Sequence, residues 1–186
     1  MRPQKVEHED LLNGLMSVLR AKGYDGASLN ELASAAGLQK ASLYHRFPGG
    51  KQEIARAVLQ YVDDWVKQNI YVLLADQQVE PAIRLEKALH HTRKIYEDGQ
   101  TACLLRALST DSGLELFRTE LKGSMERWMK GFKQLGLDFG LTEVDARQKA
   151  TEVLVLIQGS LVIANTFEEI KPFQDALAKI KKMYLQ

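Results

Sequence analysis

Apolar residues fall at helical spacing along almost the whole chain. Leu11, Leu12, Leu15, Val18 and Leu19 make one stripe, which Gly23 closes. The stretch SLNELASAAG, residues 28–37, predicts a compact second helix. Ser28 is its N-cap and Glu31 lies three positions on, the spacing at which two orphan amides are satisfied reciprocally. Leu32, Ala33 and Ala36 then face inward, and Gly37 breaks the helix. A third, short helix lies within GLQKASLYHRFPGGK, residues 37–51, and stops at Pro48-Gly49-Gly50. From Gly50 a much longer helix runs through Ile54, Val58, Val62 and Trp65 to the neighbourhood of Leu74.

Pro81 suits the first turn of a fifth helix, with Leu85, Leu89 and Tyr96 following, and ACLLRALS, residues 102–109, is a short apolar sixth. The capping spacing recurs in SGLE, residues 112–115, and predicts the start of a long helix carrying Leu114, Phe117, Leu121, Met125, Trp128, Phe132 and Leu135. GLDFG, residues 136–140, reads as a turn. Residues 142–165 begin with Thr142 as cap and are apolar on nearly every side, the pattern of a helix buried all round. The last helix, from Pro172, carries a Phe173, Leu177, Ile180, Tyr184 seam and a lysine-rich end. The expected fold class is therefore all-α with nine helices, and there is no internal repeat.

Composition agrees with a folded domain. Of 186 residues, 45% are apolar and 26% charged, and only four are proline, without the regular turn clusters of a sheet protein. The longest apolar run, residues 153–164, reads as too short and interrupted to span a bilayer. Acidic residues precede any apolar run at the N-terminus, unlike a signal peptide. Cys103 is the one cysteine, so no intrachain disulfide forms and a reducing cytoplasm is the expected compartment. No cofactor or metal is expected. His90 and His91 are adjacent and point to different helix faces, so they do not chelate one ion together. No glycine-rich phosphate loop, nucleophile elbow or HExxH motif is present, and catalysis is not expected.

Charge adds a little. Residues 1–60 hold eight Lys and Arg against six acids, the rest seventeen against eighteen. Lys40, Arg46, Lys51 and Arg56 lie close together with Glu53 as the lone acid between them. Such a patch fits an anionic partner or a solvated face equally well. Spacing sharpens the choice. Ala33, Gly37 and Leu43 supply the small crossing residue, the positive-φ turn residue and the aliphatic anchor that a helix-turn-helix needs. With Leu38, Leu43 and Phe47 inward, Gln39, Lys40, Ser42, Tyr44, His45 and Arg46 point outward, as a major-groove reader would present them. A helical hairpin with a polar face is the plain alternative.

Residues 24–59, YDGASLNELASAAGLQKASLYHRFPGGKQEIARAVL, resemble the N-terminal domain of tetracycline-repressor-like (TetR-family) transcriptional regulators. The FPGGK link, one residue longer than in most members, is similar to the LmrA/YxaF-like subgroup. The resemblance implies a DNA-binding domain at residues 1–50 and a regulatory domain for ligand binding and dimerisation at residues 51–186. It makes Lys40, Ala41 and Ser42 the base-facing segment and Tyr44, Lys51 and Ser28 phosphate contacts. His45 and Arg46 take edge positions. The implied protein is a repressor released from operator DNA by a small lipophilic or drug-like effector.

A symmetric operator requires a homodimer with heads about 34–36 Å apart. Gly159, Ser160 and Ala164 are small enough for close helix approach, and the seam of Phe173, Leu177, Ile180 and Tyr184 is expected to complete the interface. Trp65, Tyr96, Phe117, Met125, Met129 and Trp128 are candidates to line an apolar ligand cavity, or are plain core. Arg106, in an apolar helix, is expected to need a partner, either a ligand anion or a nearby acid. The competing reading is a helical ligand carrier or adaptor that does not bind DNA.

Overall fold

A computed structural model describes residues 7–185, among which the chain forms nine α-helices and no strand. Residues 1–6, where the leader reading and the predicted first domain begin, lie outside the described residues. Helix α1 is His8–Gly26, α2 Leu29–Ala35 and α3 Lys40–Arg46. Helix α4 covers residues 50–75, with a π-helical stretch, Lys67–Val72, between Gly50–Val66 and Leu73–Ala75. Helix α5 is Pro81–Ile95, α6 Leu104–Ala107, α7 Asp111–Asp138, α8 Glu143–Phe167 and α9 Lys171–Leu185. A 3₁₀ turn, Glu97–Gly99, follows α5.

By contacts the chain divides into two compact units. The first holds the chain up to Val62 together with Leu104–Leu121; the second holds Asp63–Cys103 and the chain from Lys122 on. In the first unit, Leu11, Leu15, Leu19, Leu32, Leu43, Ile54, Val58 and Phe117 are fully buried. Helices α1 and α2 cross backbone to backbone at Gly14, where an added Cβ would stand 2.2 Å from the Ala35 carbonyl oxygen. Only a residue without Cβ permits that approach.

In the second unit Leu85, Trp128, Phe132, Val153, Ile157, Phe173 and Ile180 are buried. Trp128 stacks on Phe132, whose ring also meets Tyr184. The Tyr184 hydroxyl donates to the Phe132 carbonyl at 3.1 Å, and burial raises its pKa far above the ordinary phenol value.

Three local expectations are corrected. Ser112 does not cap α7: the helix starts at Asp111, and the Ser112 N–H donates to the Asp25 carboxylate at 3.2 Å. A partner distant in sequence takes the amide that a local box would have used. In GLDFG, helix α7 continues to Asp138, and only Phe139 and Gly140 turn. Helix α8 begins as predicted, with Thr142 Oγ1 accepting the Asp145 N–H at 3.1 Å, but it is not buried all round. Val144, Val155, Val162, Ile163 and Phe167 are exposed on it. Its length and composition alone would suffice to cross a bilayer, yet its other face packs on α9 and Asn165 donates to the Gly99 carbonyl at 3.2 Å.

Candidate nucleic-acid interface

The third helix is positioned by the end of the second. Ser28 and Glu31 form the reciprocal box: the Glu31 N–H donates to Ser28 Oγ at 3.3 Å, and the Ser28 N–H to the Glu31 carboxylate at 3.1 Å. The Ser28 hydroxyl also donates to that carboxylate at 2.7 Å, and Lys22 forms an ion pair with it. Hydrogen bonds from Lys22 first, then Ser28, hold the Glu31 carboxyl down at about 2. At the other end Gly37 takes φ 64°. Its N–H donates to the Ser34 carbonyl at 3.0 Å and that of Leu38 to the Ala33 carbonyl at 2.9 Å. This pair of bonds is the Schellman termination, which requires a left-handed residue where the glycine stands.

The chain then enters α3. Leu43 (1% exposed) and Phe47 (7%) are its anchors, while Leu38 is half-buried. Gln39 sits at the N-cap with its side chain unused in capping. Gln39, Lys40, Ala41, Ser42, Tyr44, His45 and Arg46 are all exposed, so seven consecutive positions apart from the Leu43 anchor present their side chains outward. No ion pair among the described residues engages Lys40, His45 or Arg46. Such a surface offers hydrogen-bond donors and positive charge to an anionic polymer. The helix stops where the Phe47 N–H donates to the Leu43 carbonyl at 2.8 Å and Gly50 takes φ 66°. The single acid in this stretch, Glu53, is exposed and accepts the Gly49 N–H at 2.6 Å.

Of the four clustered bases, two are engaged within the chain. Lys51 is half-buried, with Nζ 4.5 Å from the centre of the Tyr24 ring and 3.5 Å from the Asp25 carbonyl oxygen. Arg56 donates to Glu120 at 2.9 Å and to the Leu116 carbonyl at 3.2 Å. Its charge therefore does not add to the exposed face. Tyr24, Asp25 and Lys22 were not singled out by the sequence. Tyr24 and Asp25 follow directly on the break at Gly23, and that break was the one local signal.

The candidate ligand residues are not brought together in one unit. Phe117 is buried in the first, edge-on to Tyr24 with ring centres 5.1 Å apart. Arg106, also in the first, is exposed, so solvent can take the place of the ligand anion or nearby acid expected as its partner. The helical phase of α6 turns it to solvent while Leu104, Leu105 and Ala107 are buried. Trp65, Tyr96, Met125 and Trp128 belong to the second unit. Trp65 meets His91 edge-on at 6.2 Å, and Tyr96 donates to Cys103 Sγ at 3.5 Å. Burial first, and the neighbouring His90 second, lower the His91 pKa. Met129 lines a groove of about 410 Å³ with Lys130, Lys133, Arg147 and Ala150.

The residues expected at the dimer seam differ in exposure. Phe173, Leu177, Ile180 and Tyr184 are buried within their own chain, as are Ser160 and Ala164; of the seven positions only Gly159 is exposed. The amphipathic pattern of α9 is satisfied by α8 and the rest of the second unit, which leaves the opposite face of α8 uncovered.

Comparison with known proteins places this architecture. Residues 11–58 match the profile of the family described as "Bacterial regulatory proteins, tetR family". The HTH-type transcriptional regulator LmrA of Bacillus subtilis is 25% identical over 169 residues, covering 88% of this chain and 89% of LmrA. A TetR transcriptional regulator from Legionella pneumophila superposes with a TM-score of 0.82 at 17% identity, over 98% of both chains. The regulator CifR, solved as a cysteine mutant with a 26-bp double-strand operator DNA, does so with a TM-score of 0.74 at 22% identity, again over 98% of each. Those two likenesses speak for the fold.

Proposed function

This chain belongs to the TetR family of bacterial transcriptional regulators, and on that premise we propose how it acts: as a cytoplasmic repressor that grips operator DNA with α3 and lets go when a small molecule binds. The observation that carries the reading is α3 itself, a two-turn helix anchored by Leu43 and Phe47 that exposes every other side chain from Gln39 to Arg46. Lys40, Ala41 and Ser42 face base edges, Ala41 offering only a methyl contact. Tyr44, Lys51 and Ser28 take phosphates, and Gln39, His45 and Arg46 lie at the rims. Residues 1–50 are the DNA-binding domain and residues 51–186 the regulatory one.

Two half-sites demand two heads, so the active species is a homodimer. The exposed face of α8, with Val155, Val162, Ile163 and Phe167, is the surface that a second copy covers. An effector, apolar or drug-like, binds in the regulatory domain among side chains such as Trp65, Met125 and Trp128. It favours a conformation with lower operator affinity.

The test is selection of bound sequences from random duplexes, followed by footprinting of the selected site. A protected palindromic site that Lys40→Ala and Tyr44→Ala abolish is the expected result. No selected sequence, or affinity untouched by both changes, would return the chain to the carrier or adaptor reading.

A further inference from the structure

Lys51 opens α4, and its ammonium does not float free. Nζ lies 4.5 Å from the centre of the Tyr24 ring and 3.5 Å from the Asp25 carbonyl oxygen. Both partners belong to the turn after the break at Gly23. That turn is fixed from the far side by the start of α7. Phe117 meets the Tyr24 ring edge-on at 5.1 Å, the Asp25 carboxylate accepts the Ser112 N–H at 3.2 Å, and an added Cβ at Gly113 would stand 3.3 Å from Tyr24 Cβ. The Tyr44 ring lies against Gly50, the residue before Lys51, with Cε1 3.8 Å from where a Cβ on Gly50 would be.

We propose that Tyr24 is a positioning residue for DNA binding: its ring, clamped by Phe117 and the first turn of α7, holds the Lys51 ammonium as a preformed phosphate contact. This rests on the DNA-binding reading above. A lysine on a flexible four-carbon stem loses rotamer freedom when it grips a phosphate, and a side chain ordered beforehand loses less. The aromatic face attracts the cation without neutralising it, which a carboxylate partner would do. The ammonium therefore keeps its full charge for the phosphate. Asp25 contributes through its carbonyl, while its carboxylate is occupied with Ser112.

The experiment is a salt titration of the full chain on a labelled random-sequence duplex, by anisotropy, as a double-mutant cycle. Lys51→Ala should lower the slope of log affinity against log salt by about one. Tyr24→Leu should weaken binding about threefold or more, Tyr24→Phe should keep wild-type affinity, and Tyr24→Leu should cost nothing further once Lys51 is alanine. An equal loss from Tyr24→Leu in both backgrounds would make the ring mere packing and overturn the proposal. If the unaltered protein binds no duplex at any salt, the DNA-binding reading itself fails. A second measurement needs no variant at Tyr24. In the unaltered free protein the Lys51 Hε protons should resonate upfield of the other lysines through the ring current, with Lys51→Ala identifying the signal. Their absence from that position would equally overturn the inference.

Discussion

The guanidinium of Arg84 donates through one nitrogen to both the Asp138 carboxylate and the Leu74 carbonyl, each at 2.6 Å, with Arg84 only 2% exposed. The end of α4, the first turn of α5 and the last turn of α7 are thus tied to one buried charge. Gln134 adds a bond to the other Asp138 oxygen at 2.9 Å. Asp138→Ala strips the paired carboxylate from a buried cation, and the expected cost is about 3–5 kcal/mol. Replacing both partners, as Arg84→Met with Asp138→Leu, should cost clearly less than Asp138→Ala alone, since no uncompensated charge remains. Urea midpoints of the three variants check this. A double variant less stable than Asp138→Ala would contradict it.

Gly14→Ala should destabilise the first unit in spite of alanine's better helix propensity. The propensity gain is about 1 kcal/mol. The new Cβ would stand 2.2 Å from the Ala35 oxygen and 2.8 Å from its carbonyl carbon, both backbone atoms that cannot turn aside. Separating α1 from α2 is expected to cost about 1–3 kcal/mol beyond that gain. Gly123→Ala in α7 is the control. There the nearest atom to the added Cβ is the flexible Arg127 guanidinium at 3.7 Å, and a gain of about 0.5–1 kcal/mol is expected. Thermal melts of the two variants should therefore move in opposite directions.

The pH dependence of the α2 box has a defined sign. The Glu31 carboxyl is held at about 2 in the folded chain, below its ordinary value of 4.5, chiefly by Lys22 and then by Ser28. A depressed carboxyl contributes stability that is present above the unfolded pKa and is lost as pH falls through the folded one. The stability difference between wild type and Glu31→Gln should hold from neutral pH down to the unfolded pKa and fade between there and about pH 2. Lys22→Met should move the Glu31 titration midpoint upward, toward the ordinary carboxylate value. Urea midpoints measured across pH read the first, and carboxyl-carbon NMR titration reads the second. A Glu31 midpoint unchanged by Lys22→Met would show that the pair is not the main cause.

What the sequence makes legible is what is decided locally. The Ser28 and Glu31 box, the stop at Gly37 and the anchors Leu43 and Phe47 depend on neighbours within a few positions, and spacing alone reveals them. Where a distant partner competes, spacing misleads. SGLE has the same form as SLNE, yet Asp25, 87 positions earlier, takes the Ser112 amide. Arg106 sits in an apolar string, but a four-residue helix has room to turn one side chain outward. Lys51 and Arg56 look alike in the sequence, and only tertiary contact separates a lysine resting on an aromatic ring from an arginine paired with Glu120. The apolar pattern of α8 and α9 marks two faces to be covered without saying which is covered by the chain itself.

That last ambiguity yields a test of the dimer surface. Ile180, Phe173 and Tyr184 are buried in the chain, so Ile180→Ala should cost about 2–5 kcal/mol of protomer stability, with any loss of dimer secondary to unfolding. Val155 (64% exposed) and Val162 (47%) lie on the uncovered side of α8. Val155→Glu with Val162→Glu should leave the protomer within about 0.5 kcal/mol per substitution, because neither side chain fills the core. In a symmetric interface each change is made twice, and the buried carboxylates would meet a desolvated apolar surface. Analytical ultracentrifugation should then show a folded monomer, and affinity for a two-half-site duplex should fall while that for a single half-site persists. A double glutamate variant that still sediments as the dimer would place the interface elsewhere on the second unit.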